Sequence, residues 1–423
     1  MLLARFFKDR KGGVAPFMAI AAIPLMGMTG AAVDYTRANT VKAAMQSALD
    51  SAGLMLSKDA ADLSAAQLTQ KTQAYFNAIF QRPEAQNVQL TQTISSPQPG
   101  SFQLNLTATA TVSTTFAAML GVNQIDVHAN AQIVWGIKKL NLALALDNTG
   151  SMAQSGKMTA LKEAAHNLIN TLKTASTTPG DVQVSIVPFA TDVNVGISNK
   201  NADWVRWTEW DAANGTCSST SYTSQSDCQS HGRTWTPKAH STWNGCVMDR
   251  DQNNDVQNTM PTVTGTDFPA HQASACPTAL MPLSYDWAAL NAKVDAMTPA
   301  GNTNTTIGLA LAWQTLTATA PYNAPAVAPD LDKVIVLLTD GTNTQNRWTS
   351  SASSIDSRTQ KLCDNLRAAN VKVYTVRVID GNGTLLKNCA TKPDMYYDVD
   401  EAVQLNSVFS SIAQNLANLR ITK

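Results

Sequence analysis

From Lys138 onward, apolar runs on consecutive positions alternate with stretches of helical spacing. The runs fall at 140–146, 182–188, 334–338 and 371–379; the helical stretches fall at 157–175, 305–317, 354–370 and 401–419. A strand exposed on one face shows apolar residues at every second position. A strand apolar at every position is covered on both faces, which implies a mostly parallel sheet clothed by helices. The expectation for 138–423 is therefore an α/β fold with a doubly wound, mostly parallel sheet. The rhythm stops between Asn199 and Met297, where Trp, Asn, Ser and Asp are abundant and four cysteines gather. So long a stretch inside a compact domain is functional or a separate lobe. It reads as a disulfide-rich insertion, 199–297, on the rim of the sheet.

The amino-terminal third follows other rules. Arg5, Lys8, Arg10 and Lys11 precede a stretch, 14–33, that carries no charge. About twenty apolar residues cross a bilayer as a helix, and the basic flank stays in the cytoplasm. This gives a single-pass inner-membrane protein with everything after Asp34 outside the cytoplasm. Cleavage after the small residues 29–31 is the alternative. The length of the span and the helix that follows without a break favour a retained anchor. Val41, Ala44, Met45, Ala48, Leu49, Ala52, Met55 and Leu56 recur at helical spacing. That stripe covers either this chain's next segment or a neighbouring single-span subunit, because periodicity locates an apolar face and not its cover. A second helix near 65–80 leads to period-two segments rich in Thr, with a Pro-Gly turn at 96–100. Residues 61–137 thus form a helix and a small antiparallel layer, distinct from the segment 1–60.

Of 423 residues, 31 are basic and 31 acidic, so the chain lacks the basic excess of a nucleic-acid binder. Its six cysteines suit an oxidising compartment. Cys363 pairs with Cys389, and two further bridges lie within Cys217, Cys228, Cys246 and Cys276, their connectivity open. A zinc site using His231, His240 or His271 is disfavoured, because no Cys-x-x-Cys or His-x-x-x-His spacing occurs.

Chemistry concentrates at the predicted strand ends. The first run ends in Asp147-Asn-Thr149-Gly-Ser151, the third in Thr339-Asp340-Gly341, and a loop before a helix reads Gly301-Asn-Thr303. Ligands of open parallel sheets bind beyond the carboxyl ends of the strands. Two carboxylates and several hydroxyls, without sulfur or imidazole, suit a hard cation: magnesium, or else manganese or calcium. No Gly-x-Gly-x-x-Gly opens the first helix, which argues against a dinucleotide site.

The order D-x-T-G-S, G-x-T, T-D-G resembles the metal-ion-dependent adhesion site of von Willebrand factor A domains. The resemblance implies that Asp147, Thr149, Ser151, Thr303 and Asp340 hold the ion, the hydroxyls directly and the aspartates partly through water. Thr149 stands where Ser is commoner. The stretch "KGGVAPFMAIAAIPLMGMTGAAVDYTRANTVKAAMQSALDSAGLML" resembles the start of TadG-like proteins of the tight-adherence (Flp-type) pilus machinery. Pseudopilins of that system look similar at this end and carry an acid soon after a glycine cleavage site. Here the fifth residue after Gly13 is Met18, so such processing is not expected.

Together these resemblances imply an anchored scaffold or adhesion module of pilus assembly. Its partners would be other pilus-assembly proteins, offering an acidic group to the metal. A surface adhesin using Trp204, Trp207, Trp210, Trp235 and Trp243 is one alternative, although a small disulfide-bonded lobe needs such residues for its core. A metal-dependent hydrolase is the other. It needs a general base near the ion, and neither His128 nor His166 is placed to serve Asp147. The expectation is a binding protein, not an enzyme.

Overall fold

The computed structural model describes residues 14–59, 63–95, 101–136, 139–176, 178–326 and 331–419. The basic cluster at 5–11, the Gly13 position and the turn at 96–100 lie outside them. The chain divides into two compact units, 1–137 with 421–423, and 138–420.

In the first unit, helix α1 (Val14–Asp59) runs unbroken from the uncharged stretch into the amphipathic one. Helix α2 (Ala65–Ile79) begins at a capping box: Gln67 Oε1 accepts from the Ser64 backbone N–H at 3.0 Å while Ser64 Oγ accepts from the Gln67 N–H. Strands β1 (Ala85–Ser95), β2 (Ser101–Ser113) and β3 (Gln124–Gly136) pair antiparallel in that order. Alternation buries Leu104, Leu106, Ala108, Ala110 and Val112 of β2 with Val127 and Ala129 of β3, packed on Val41, Met45, Ala48, Leu49 and Leu56 of α1. The stripe therefore covers this chain's own sheet, and only Met55 among its members is exposed. The helix rides close: a Cβ on Gly53 would stand 2.5 Å from Ile133 Cγ1. Residues 1–60 and 61–137, separate segments by pattern, share one core. The first part of α1 exposes Phe17, Met18, Ile20, Leu25, Met26 and Met28, and the helix is long and apolar enough to cross a membrane.

The second unit is built on β4 (Lys139–Asp147), α3 (Lys157–Ala175), β5 (Val182–Phe189), β6 (Met281–Ser284), α4 (Trp287–Asp295), α5 (Thr305–Thr315), β7 (Leu331–Thr339), α6 (Ala352–Ala368), β8 (Lys372–Val378), α7 (Gly383–Cys389), β9 (Tyr396–Val399) and α8 (Leu405–Leu419). Strands run parallel in the order β9-β8-β7-β4-β5. Strand β5 also pairs antiparallel with β6, and at its end with Val193–Asn194, which pairs antiparallel with Cys246–Val247 of the insertion. Leu140, Leu142, Leu144 and Leu146 of β4 face a core with α3, α4 and α8. Ala143 and Ala145 point the other way, toward α5 and α6. Small residues there admit α5, all of whose residues are buried. A Cβ on Gly308 would meet the Phe189 ring at 2.5 Å, so that glycine sets the helix-to-sheet distance.

The sheet reclaims the chain before Met297. Met281 pairs with Ile186 and Ser284 with Val184, while Leu290 and Val294 join the core beside α3. A four-residue strand containing Pro282 gives too little period to be read as a strand. Within the insertion, Cys217–Cys228 and Cys246–Cys276 are bonded. Trp204, Trp210, Trp235 and Trp243 are buried, and Trp207 stacks on His240 with ring centroids 3.6 Å apart. Trp204, Trp210 and Trp243 pack into the same core as Ala143, Ala145 and α5, so the insertion extends that face of the sheet.

Cys363–Cys389 ties α6 to the end of α7 across 26 residues. Replacing both by Ser should lower the unfolding free energy by about 3 kcal/mol in the chain-entropy account. Urea denaturation of the oxidised protein and the double variant measures it, and equal midpoints would contradict the expectation.

Candidate metal centre

Strands β4 and β7 are parallel neighbours, Leu338 beside Leu146, so Asp147 and Thr339 finish side by side at the carboxyl edge. The chain leaves β4 into α3 on one face and β7 into α6 on the other. A crevice opens where consecutive connections depart in opposite directions, and the candidate residues surround it.

The turn after β4 is drawn in by its own carboxylate. Asp147 Oδ1 accepts from the Thr149 backbone N–H at 2.9 Å and from Thr149 Oγ1 at 2.5 Å, while Oδ2 accepts from Thr339 Oγ1 at 2.6 Å. Thr149 Oγ1 lies 3.1 Å from Ser151 Oγ, which donates to Asp340 Oδ1 at 2.7 Å. Four of the five predicted residues thus form one continuous chain of oxygens.

The fifth arrives on a separate loop. Gly150 N–H donates to Gly301 O at 3.0 Å, and Ala300 N–H to Asn148 O at 2.8 Å, which fastens that loop to the first turn. Gly301 has φ +85°, and a Cβ there would press on Ala275 at 2.9 Å, so glycine is required. Thr303 N–H donates to Thr344 Oγ1 at 2.8 Å, fixing the residue against the loop after β7. A Cβ at Gly341 would stand 3.4 Å from Thr303 Oγ1 and 3.7 Å from Ser151 Oγ. The two hydroxyls therefore flank the same bare α-carbon, and all five predicted residues meet.

Asp147, Thr149, Thr303 and Asp340 are buried, and Ser151 is half-buried. Burial, and then the charge of Asp340, push the Asp147 carboxyl up to about 6, against the hydrogen bonds from Thr149 and Thr339. The site brings together the carboxylates of Asp147 and Asp340 and the hydroxyls of Thr149, Ser151 and Thr303.

The sequence reading missed Lys157. Its ammonium, 4% exposed, lies 2.5 Å from Asp340 Oδ2 and 3.8 Å from Asp380 Oδ2, which is largely exposed. Lys157 opens α3, where the helix dipole favours acids over cations. A lysine in that disfavoured place, six residues past the D-x-T-G-S turn, was the available signal. The insertion also reaches the site's loops. Asp249 Oδ2 accepts from Asn304 Nδ2 at 2.9 Å and from the Arg347 N–H at 3.3 Å, and burial pushes its carboxyl up to about 7. The Arg347 guanidinium in turn binds Asp251 at 2.6 Å and Glu209 at 2.9 Å.

Residues 12–55 match the family model for putative Flp pilus-assembly TadE/G-like proteins, and 264–411 match the von Willebrand factor type A domain. The chain joins a TadE/G-like segment to a von Willebrand factor type A domain. The match to the type A domain starts inside the insertion. It includes Thr303 and Asp340, while β4 and the turn carrying Asp147, Thr149 and Ser151 lie ahead of it. Strands β4 and β5, which pair in the same sheet as the matched strands, precede the matched sequence by more than seventy residues.

Solved structures with likeness to this chain include the pilus adhesin SpaC from Lactobacillus rhamnosus GG, at 13% identity over 80% of this chain and 35% of that one, TM-score 0.38. The vWF domain of the type V pili tip protein Mfa5 from Porphyromonas gingivalis shows 11% identity over 68% and 97%, TM-score 0.40. Proximal thread matrix protein 1 from the mussel byssus, in a form with a zinc-occupied MIDAS motif, shows 12% identity over 67% and 48%, TM-score 0.36. The chain spans about a third of the length of the SpaC chain. No curated protein matches this sequence.

Proposed function

We propose that this chain is a membrane-anchored, extracytoplasmic binding module of pilus assembly, which captures an acidic group of a partner through a divalent cation. The observation that carries the reading is the meeting of Asp147, Thr149, Ser151, Thr303 and Asp340 at the carboxyl edge of the sheet, tied by Ser151 to Asp340 at 2.7 Å. The donor chemistry fits a hard ion, with magnesium preferred over manganese or calcium on the small number of carboxylates. Once bound, the ion supplies a Lewis-acidic centre with an exchangeable position. The two carboxylates balance its charge, and Lys157 leaves one positive charge over. An incoming carboxylate is favoured by that surplus.

The exposed apolar start of α1 supports the anchor, and the basic residues ahead of it favour a cytoplasmic amino terminus with the bulk of the chain periplasmic. A binding role fits better than hydrolysis. His166, His231, His240 and His271 pair with Asp295, Asp227, Asp211 and Asp192, and none of them is bonded to Asp147.

Affinity capture of the membrane-embedded protein, with and without chelator, tests the reading. Pilus-system proteins should be recovered with magnesium present and lost on chelation. Recovery that ignores the chelator would overturn metal-bridged capture.

A further inference from the structure

Asp34 is the first charge after the uncharged stretch 14–33, and its side chain is buried. Its carboxylate accepts three consecutive backbone N–H groups, from Thr115 at 3.0 Å and from Phe116 and Ala117 at 2.8 Å each. These belong to the connection between β2 and β3, which coils into a short 3-10 turn at Ala117–Leu120 and closes at Gly121, φ +88°. Within the turn, Met119 N–H donates to Phe116 O, Gly121 N–H to Ala118 O and Val122 N–H to Ala117 O. The N–H groups of Thr115, Phe116, Ala117, Met119, Gly121 and Val122 are thus satisfied by the turn's own carbonyls and by Asp34. Side chains tell the opposite story. Met119 is 85% exposed, Leu120 67%, Val122 50% and Phe116 44%.

A water-facing hairpin connection does not ordinarily display four large apolar residues in seven positions. The turn lies along α1 on the amino-terminal side of Asp34. Phe116 sits over Gly30, where a Cβ would clash at 2.4 Å, and Leu120 lies over Gly27. Between turn and helix runs an apolar groove of about 510 Å³, bordered by Met26, Thr29, Val33 and Met119. At 1.5 Å of rise per residue, positions 26–33 occupy roughly the last 10 Å of a span that ends at Val33. Whatever packs on those positions shares their depth.

Resting on the reading of α1 as a membrane anchor, we infer that the turn 114–123 is a second membrane contact. It inserts Phe116, Met119, Leu120 and Val122 among the acyl chains of the leaflet remote from the cytoplasm, with a lipid chain in the groove. Backbone entering hydrocarbon must have its polar groups satisfied from within, and Asp34 does this for three of the turn's N–H groups that its own carbonyls do not reach. The Asp34 carboxylate is the latch that holds the turn to the helix at a fixed depth.

All six cysteines are in disulfides, so a Met119→Cys variant of the full chain offers one thiol for a nitroxide. In vesicles of phosphatidylethanolamine and phosphatidylglycerol, the label should be accessible to oxygen and protected from a water-soluble nickel relaxant. A label at Met18 in the span should behave likewise, and one at exposed Val403 should not. Asp34→Asn should abolish protection at position 119 and leave position 18 protected. Met119→Glu, at a position whose side chain packs on little, should do the same to a label at Leu120. Protection at 18 with nickel access at 119 would overturn the inserted turn and spare the anchor. Nickel access at both would overturn the anchor, and this inference with it. Unchanged protection in Asp34→Asn would remove the latch.

Discussion

Asp147→Asn is expected to make the metal-free protein more stable at neutral pH, by up to about 3 kcal/mol, and to abolish its response to magnesium. The Asp147 carboxyl is pushed from 3.8 to about 6 by burial and by Asp340, and each tenfold gain in proton affinity corresponds to about 1.4 kcal/mol. The folded form therefore binds more protons than the unfolded form between about pH 4 and pH 6. Stability of the metal-free protein from this group falls as pH rises through that window, and the full cost is present above it. An amide carries no charge to desolvate. Its oxygen and NH₂ can still meet Thr149 and Thr339, whose hydroxyls rotate to donate or accept. With the cation present the order reverses. The ion favours the ionised carboxylate, so its stabilisation should grow from about pH 4 to pH 6 in the wild type. At a hundredfold excess over Kd it reaches about 2.7 kcal/mol. Thermal unfolding of both proteins across that range, in chelator and in magnesium, decides the matter. A wild type with no metal response, or a metal response retained in Asp147→Asn, would remove Asp147 from the site.

How far these features could be read in advance depended on the distance over which their causes act. Strand β4 was legible because burial on both faces writes itself into consecutive residues, Leu140 to Leu146. The turns at 147–151 and 339–341 were legible because each packs its oxygens into a few positions. The order of three such turns carried the rest. The stripe on α1 was visible, but its cover was not, since nothing in the spacing of Val41 or Leu49 names β2 and β3 as the partners. Cysteine pairing in the insertion followed from a fold that local pattern did not describe. The same limit hid Asp34. An acid at the end of an apolar stretch looks like a boundary marker, and its three N–H donors lie some eighty positions away.

Lys157 is the sharpest case, and substituting it should act in the direction opposite to Asp147→Asn. The ammonium and the Asp340 carboxylate are both nearly inaccessible to water. Removing one partner of a buried pair leaves the other uncompensated, typically at a cost of about 3–5 kcal/mol. Lys157→Met keeps the stem's packing and deletes the charge, so the metal-free variant should melt well below the wild type. Each kcal/mol corresponds to about 2–4 °C in a domain of this size. The ammonium also sits on Asp340 Oδ2 as a cation would, and an entering ion must share that carboxylate with it. Without Lys157 the site presents two unbalanced carboxylates, so magnesium should bind more tightly and recover most of the lost stability. The metal-induced rise in melting temperature should accordingly be larger than in the wild type. A simple packing defect predicts something different, a melting temperature lowered equally with and without the ion. Calorimetric titration with magnesium gives the independent reading. Affinity unchanged or weakened in Lys157→Met would mean that the lysine supports the site's geometry and does not stand in for its ion.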